Sequence, residues 1–414
     1  MKTHVGVACF LGRCHRQQGA DMKQHSNTLC RRNDSGFSLI ELIIYMALLG
    51  ILMTMVFSSF TPVMQSSSQQ WRIAKTKVET GIGLDLLRSD LEHAGFGLPW
   101  EFPVGVTPSP YLEPNPTVAP AAMNDAPNVP KALASEDNSA FSMNGSDYLA
   151  IKAANVVIGV SSQKWGLLGR DAAHNVNVQS LSDDAFVSTD RVIVIRPEVS
   201  PGEYRQLVTD GTPNYFTQAT SAALTSFAPP ETPNDPNGVQ YLLYGLDDIN
   251  LSRPYNRTDY YINNAGMPAR CAPGTGTLVK ATLNQANNSF TIMPIVDCVA
   301  DFQVVYYLDT NGDGGWDARA DASGLNGLTA KQIRDQVKSI RCYVLTHEGG
   351  VDRTYTQPLD PVTGLPTINV GEVDTNGVTL LAGRAFDLNA NIGLTWNNYR
   401  WKVYGLAVTP TNLQ

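Results

Sequence analysis

Residues 37–60 read FSLIELIIYMALLGILMTMVFSSF, a run of 24 residues whose only charged side chain is Glu41. At a helical rise of about 1.5 Å per residue the run spans roughly 36 Å, enough to cross the hydrocarbon core of a bilayer. Arg31 and Arg32 stand just before it. Cationic flanks stay in the cytoplasm, so the pattern predicts one membrane pass with the N-terminus inside and the C-terminus outside. A secretory signal has a shorter apolar core followed by a small-residue cleavage site, whereas this run leads straight into a helical pattern. Glu41 is the anomaly. A carboxylate in lipid costs about 2.5–3.5 kcal/mol on insertion scales, so it implies a cationic partner within the membrane.

The string GFSLIE behind a basic leader resembles the processing and methylation motif of type IV prepilins and pseudopilins. In that family Gly ends the leader, Phe becomes the N-methylated first residue, and the Glu neutralises the N-terminal ammonium of a neighbouring subunit. The resemblance implies that a prepilin peptidase of the bacterial inner membrane cuts between Gly36 and Phe37, and that Glu41 is the assembly carboxylate. It also implies later transfer of the subunit to an extracellular pilus. Residues 1–36 are then a leader, long for the type, and Met22 offers an internal start. Without the leader, Cys9, Cys14 and Cys30 are lost, and 24 basic face 36 acidic residues. Phosphate backbones need basic surface, so nucleic acid is not an expected partner.

Residues 61–98 continue a helical period through Trp71, Ala74, Val78 and Ile82, then Leu84, Leu87, Leu91 and Ala94, with a bend expected at Pro62 and a stop at GFGLP. Nine prolines between Pro99 and Pro130 predict a loop region over 99–146. From 147 to 414 short Val-, Ile- and Tyr-rich runs alternate with Gly, Pro, Asn and Asp clusters, which predicts antiparallel sheet. One helix is expected at residues 329–337, with Thr329 as its N-cap. The expected fold class is α+β and pilin-like: a long N-terminal helix, half transmembrane and half amphipathic, packed on a β-rich globular domain.

LRSDLEHAGFG, DYYINN, IVDCVADFQVVYYLDTNGDG, SIRCYVLTHEG and RWKVYGLAVTPTNL resemble large minor pilins of the PilW type. That resemblance implies a structural subunit of the tip or initiation complex of a type IV pilus, supporting assembly and adhesion. Its implied partners are other minor and major pilins and a PilY-type tip adhesin. A type II secretion pseudopilin of the GspJ kind, or a surface-binding module on a pilin anchor, shares the same N-terminus.

DTNGDGGWD places Asp309, Asn311, Asp313 and Asp317 at alternating positions of a tight loop, with Gly314 at the turn and the Gly315 carbonyl at the seventh position. Hard oxygen donors so spaced suit Ca²⁺, although Ala320 stands where an EF-hand has its bidentate Glu. Cys271 and Cys298 flank a hairpin-like section. A disulfide there closes about 28 residues and contributes about 3 kcal/mol in the chain-entropy picture. Cys342 lies on an apolar face as a buried thiol, and a Cys298 to Cys342 pair stays open. No HExxH, GxSxG, Walker loop or dinucleotide fingerprint occurs, so an enzyme is not expected.

Overall fold

The apolar run and the segment after it form one α-helix, Leu39–Glu92, of 54 residues. The expected bend does not interrupt it: the helix runs on through position 62, and the hydroxyls of Ser58 and Thr61 bond the Met55 and Phe57 carbonyls in the preceding turn. The chain is seen in a computed structural model, which describes residues 38–103, 119–197, 205–210, 215–231, 239–249, 251, 253, 255–287, 289–377 and 379–413. Gly36 and Phe37, the expected processing pair, lie outside the described residues, as do residues 104–118 of the Pro-rich stretch.

The chain divides into two units, residues 1–63 and 64–414. In the first, every large apolar side chain from Leu39 to Phe60 is at least 49% exposed. A helix apolar on all sides with nothing over it is built for lipid or for other helices.

In the second unit an eight-stranded antiparallel sheet runs in the order Leu133–Glu136, Tyr148–Lys152, Arg257–Asn263, Gly276–Leu283, Phe290–Leu308, Val337–Glu348, Arg400–Val408, with Ala318–Ala320 also on Phe290–Leu308. SFTIMPI and VADFQVVYYLD, which read as two strands, are one strand of 19 residues. Pro294 is tolerated in it because pairing with Val337–Glu348 begins only at Val299, so the proline lies on a stretch with one neighbour. The loop expected over 99–146 needs correction at its end. The prolines stop at Pro130, and LASE, free to donate its N–H groups, becomes the edge strand Leu133–Glu136.

Helix residues Leu84, Leu87 and Leu91 share one core with Phe302, Val304, Cys342 and Val344 on one face of this sheet. Burying Leu87 and Leu91 fully contributes about 1.5–3 kcal/mol each. On the other face, Val370 and Phe386 of the hairpin Thr367–Val373/Leu380–Asp387 pack with Leu345, Tyr399 and Trp401. Arg341 bonds Glu372, and Arg384 bonds Asp301, tying the hairpin down.

A six-stranded sheet built around Tyr241–Asp247 and Arg191–Arg196 adds a separate core. Val192 and Val194 join that core, whereas Ile193 and Ile195 face the main one, which is why RVIVIR is apolar at four consecutive positions. The expected helix is Ala330–Gln336, N-capped by Thr329 in a capping box with Gln332.

Candidate assembly site

Glu41 lies in the first turn of the long helix and is exposed. Residues 38–63 contain no Lys, Arg or His, so any cation that neutralises it comes from elsewhere. The helical N-terminus already favours a carboxylate there through its unpaired amides.

From residue 64 onward one face of the helix is seated: Leu84, Leu87, Leu91 and Ala94 are buried as expected, but the expected positions before them are not. Trp71, Val78 and Ile82 are 67%, 62% and 67% exposed, and Ala74 is exposed as well. The inward stripe is Thr80, Gly83, Leu84, Leu87 and Leu91. Small and polar residues begin that stripe because the helix approaches backbone there. A Cβ on Gly83 would lie 2.3 Å from the Ile295 carbonyl oxygen. The Thr76 hydroxyl accepts the Gly349 N–H at 3.2 Å, Lys77 pairs with Glu348 at 3.6 Å, and Arg270 reaches Glu79 at 3.3 Å. At the far end, the Thr411 N–H and hydroxyl cap the Glu92 carbonyl. The stop at GFGLP is realised by Gly95 and Gly97 at φ 84° and 72°, and Gly95 donates to the Lys152 carbonyl.

Beneath the seat the Lys280 ammonium meets the Asp90 carboxylate at 2.5 Å, and the Tyr260 hydroxyl donates to the same oxygen at 2.6 Å. Burial raises the Asp90 carboxyl above the usual range, opposed by Lys280. Sequence reasoning missed this trio. Its signal was the one that singled out Glu41: a carboxylate on the stripe that carries Leu87 and Leu91.

In the loop of residues 309–317, Asp309 accepts the Gly312 and Gly314 N–H groups at 2.6 and 2.8 Å, and Lys338 stands 3.5 Å from it. Gly312 and Gly314 take φ 78° and 90°, conformations that favour glycine. Asp313 accepts the Gly315 N–H, and Asn311 donates to Asp313. Asp317 accepts from Thr310 and Asn311, and the Thr310 hydroxyl and those amides hold its carboxyl below the usual range. Each loop carboxylate is thus turned toward donors within the loop. The disulfide joins Cys271 to Cys298, and Cys342 is a buried free thiol.

A family model described as the prokaryotic N-terminal methylation motif matches residues 31–57, and one described as the type IV pilus-assembly protein W matches residues 259–385. The second match covers the stretch from the strand bearing Tyr260 to the hairpin, including the disulfide and the loop of residues 309–317. Comparison with curated proteins and with solved structures found no match. The methylation motif on an apolar helix and the PilW-type region on an antiparallel sheet support a type IV pilus-related minor pilin.

Proposed function

We propose that this subunit is inserted with its N-terminus in the cytoplasm, cut by prepilin peptidase between Gly36 and Phe37, and assembled with other pilins at the tip or initiation complex of a pilus. In this reading a PilY-type adhesin is its distal partner. The observation that carries it is Glu41, a carboxylate in the first turn of the helix, within residues 38–63, where the large apolar side chains are uncovered and no Lys, Arg or His occurs. The N-terminal ammonium of an adjacent subunit answers that charge. Glu41→Ala should still be inserted and processed, as judged by the mass of the protein in membranes, but should be depleted at least tenfold from sheared pili. Normal incorporation would overturn the assembly role.

The loop of residues 309–317 is a calcium site in the same reading, with Asp309, Asn311, Asp313, the Gly315 carbonyl and Asp317 as donors. The positive φ of Gly312 and Gly314 supports it, because a tight oxygen-rich loop of this kind needs such turns. Melting with calcium or chelator is its test.

A further inference from the structure

The Arg400–Val408 strand closes the main sheet on one side: among the described strands it pairs with Val337–Glu348 and with no other. Its register is unbroken from Arg400 to Val408, and in an antiparallel ladder alternate residues turn both backbone groups toward the same side. The phase is fixed at Trp401, whose N–H donates to the Gln357 side chain at 3.2 Å instead of to the paired strand. Val403, Gly405 and Ala407 share that phase. Their N–H and C=O groups therefore point out of the sheet, and among the described residues these groups have no hydrogen-bond partner.

Sheets protect such an edge with shortness, charge, proline or a bulge. Here those devices are missing. At nine residues this is the longest edge strand among those described, no proline or bulge interrupts it, and Lys402 is the only charged residue from Trp401 to Val408. The opposite edge of the same sheet, Leu133–Glu136, is four residues long and ends on an acidic one. Gly405 and Ala407 are exposed and small, so a second backbone can come alongside them. The Tyr343 ring lies over Gly405, 3.4 Å from where a Cβ would stand, and sets an aromatic surface beside that gap.

The spacing of the free groups selects what covers them. They recur at every second residue, about 6.8 Å apart, a repeat that an extended backbone matches and a helix does not. Beyond the leader, the longest stretch of this chain outside the described residues is 104–118, which holds four prolines, and proline cannot donate to a ladder. We propose that this edge accepts an added β-strand from a different subunit of the assembly: an extended, uncharged segment whose alternate side chains, apolar or aromatic, lie beside Gly405, Ala407 and the Tyr343 ring. Main-chain bonds to Val403, Gly405 and Ala407 hold the segment, and the small residues select its side chains. The proposal rests on the reading of this chain as a pilus subunit and adds a contact independent of Glu41.

The test uses the full chain in its own cells. Ala407→Pro removes an outward N–H and no bond to Val337–Glu348, a position where an edge strand tolerates proline. The variant should melt like the parent and be processed like it, yet be depleted at least tenfold from sheared pili, whereas Ala407→Ser, which keeps the N–H, should not be depleted. Parental incorporation of Ala407→Pro overturns the proposal. Should that variant not fold, p-benzoylphenylalanine in place of Gly405 or of Ala407 decides. Irradiated whole cells should give adducts to one other polypeptide, and the two positions should capture residues two apart in a single segment. No adduct, an adduct to a second copy of this chain, or adducts scattered over the partner overturns the added strand. A parent absent from sheared pili sinks the pilus reading instead, and the adducts, sought in whole cells, still report on the edge.

Discussion

Asp90 on the long helix and Lys280 on the main sheet form an ion pair whose side chains are 8% and 2% exposed, so the helix is fastened to its seat by charge as well as by leucines. A buried pair is worth little against a well-packed apolar replacement, but losing one partner leaves an uncompensated charge. Lys280→Met should therefore cost about 3–5 kcal/mol in urea denaturation near neutral pH, and Asp90→Leu with Lys280→Met should recover most of that loss. The pH sign is defined. Burial already raises the Asp90 carboxyl, and without Lys280 it rises further, so the native state keeps its proton where the unfolded chain has lost it. The single variant should be nearest to the parent in acid and fall behind as pH rises above about 4.

Gly81 and Gly83 sit one residue apart on opposite faces of the helix and should respond oppositely to alanine. A Cβ on Gly81 meets nothing within 4 Å, so Gly81→Ala should stabilise the second unit by about 0.5–1 kcal/mol through helix propensity alone. On Gly83 it would lie 2.3 Å from the Ile295 carbonyl and 2.8 Å from Val296, so the helix must lift from the strand. Gly83→Ala should lose about 1–3 kcal/mol. Melting temperatures that move in the same direction for both would show that the seat is not tight.

The membrane run, the capped helix at Ala330–Gln336 and the Cys271–Cys298 bridge were legible because each rests on a local signal: a long apolar stretch, a Thr at the head of a helix-forming run, two cysteines around a hairpin. The seat of the helix was legible only in its second half, where Leu84, Leu87, Leu91 and Ala94 are buried. Trp71, Ala74, Val78 and Ile82 follow a helical period as well as the buried stripe does, and periodicity cannot tell which of two apolar faces meets the sheet. Thr80 and Gly83 look like weak positions in sequence, yet they are where the backbone comes closest. The strands Trp165–Arg170, Val176–Ser180, Thr367–Val373 and Leu380–Asp387 escaped notice because glycines and polar residues interrupt them. Their pairing is set by register with a partner, which single-strand composition does not carry.

Calcium should act on the loop of residues 309–317 in a graded way. Asp309 and Asp317 already spend lone pairs on amides and the Thr310 hydroxyl, and Lys338 supplies some of the positive charge that a cation would bring. Affinity should therefore lie at about 10⁻⁴–10⁻³ M, the range of extracellular modules. At a hundredfold excess over Kd, binding to the folded state alone adds about 2.7 kcal/mol. Thermal unfolding with calcium or with chelator should show that gain in the parent and lose it in Asp313→Ala. A melting temperature indifferent to calcium, with no heat of binding, reduces the loop to a turn.

Asp147 should impose its own pH slope on the stability of the main sheet. Its Oδ2 accepts the Val304 N–H at 2.7 Å, and its Oδ1 is buried without a hydrogen-bond partner. Burial pushes the carboxyl up to about 8, with the Asp137 and Asp301 carboxylates adding to the rise and the Val304 amide opposing it. The unfolded chain gives up this proton near pH 4, whereas the native state holds it to about 8, so the native state is the more protonated across that window. Stability consequently declines as pH rises from about 4 to about 8, by at most about 1.4 kcal/mol per unit, and levels off above. Asp147→Asn keeps an acceptor for Val304, cannot ionise, and places a donor beside two carboxylates. The difference in unfolding free energy between the variant and the parent should grow in the variant's favour from pH 4 to pH 8. A difference that stays flat over those four units would mean that Asp147 is already ionised in the folded protein.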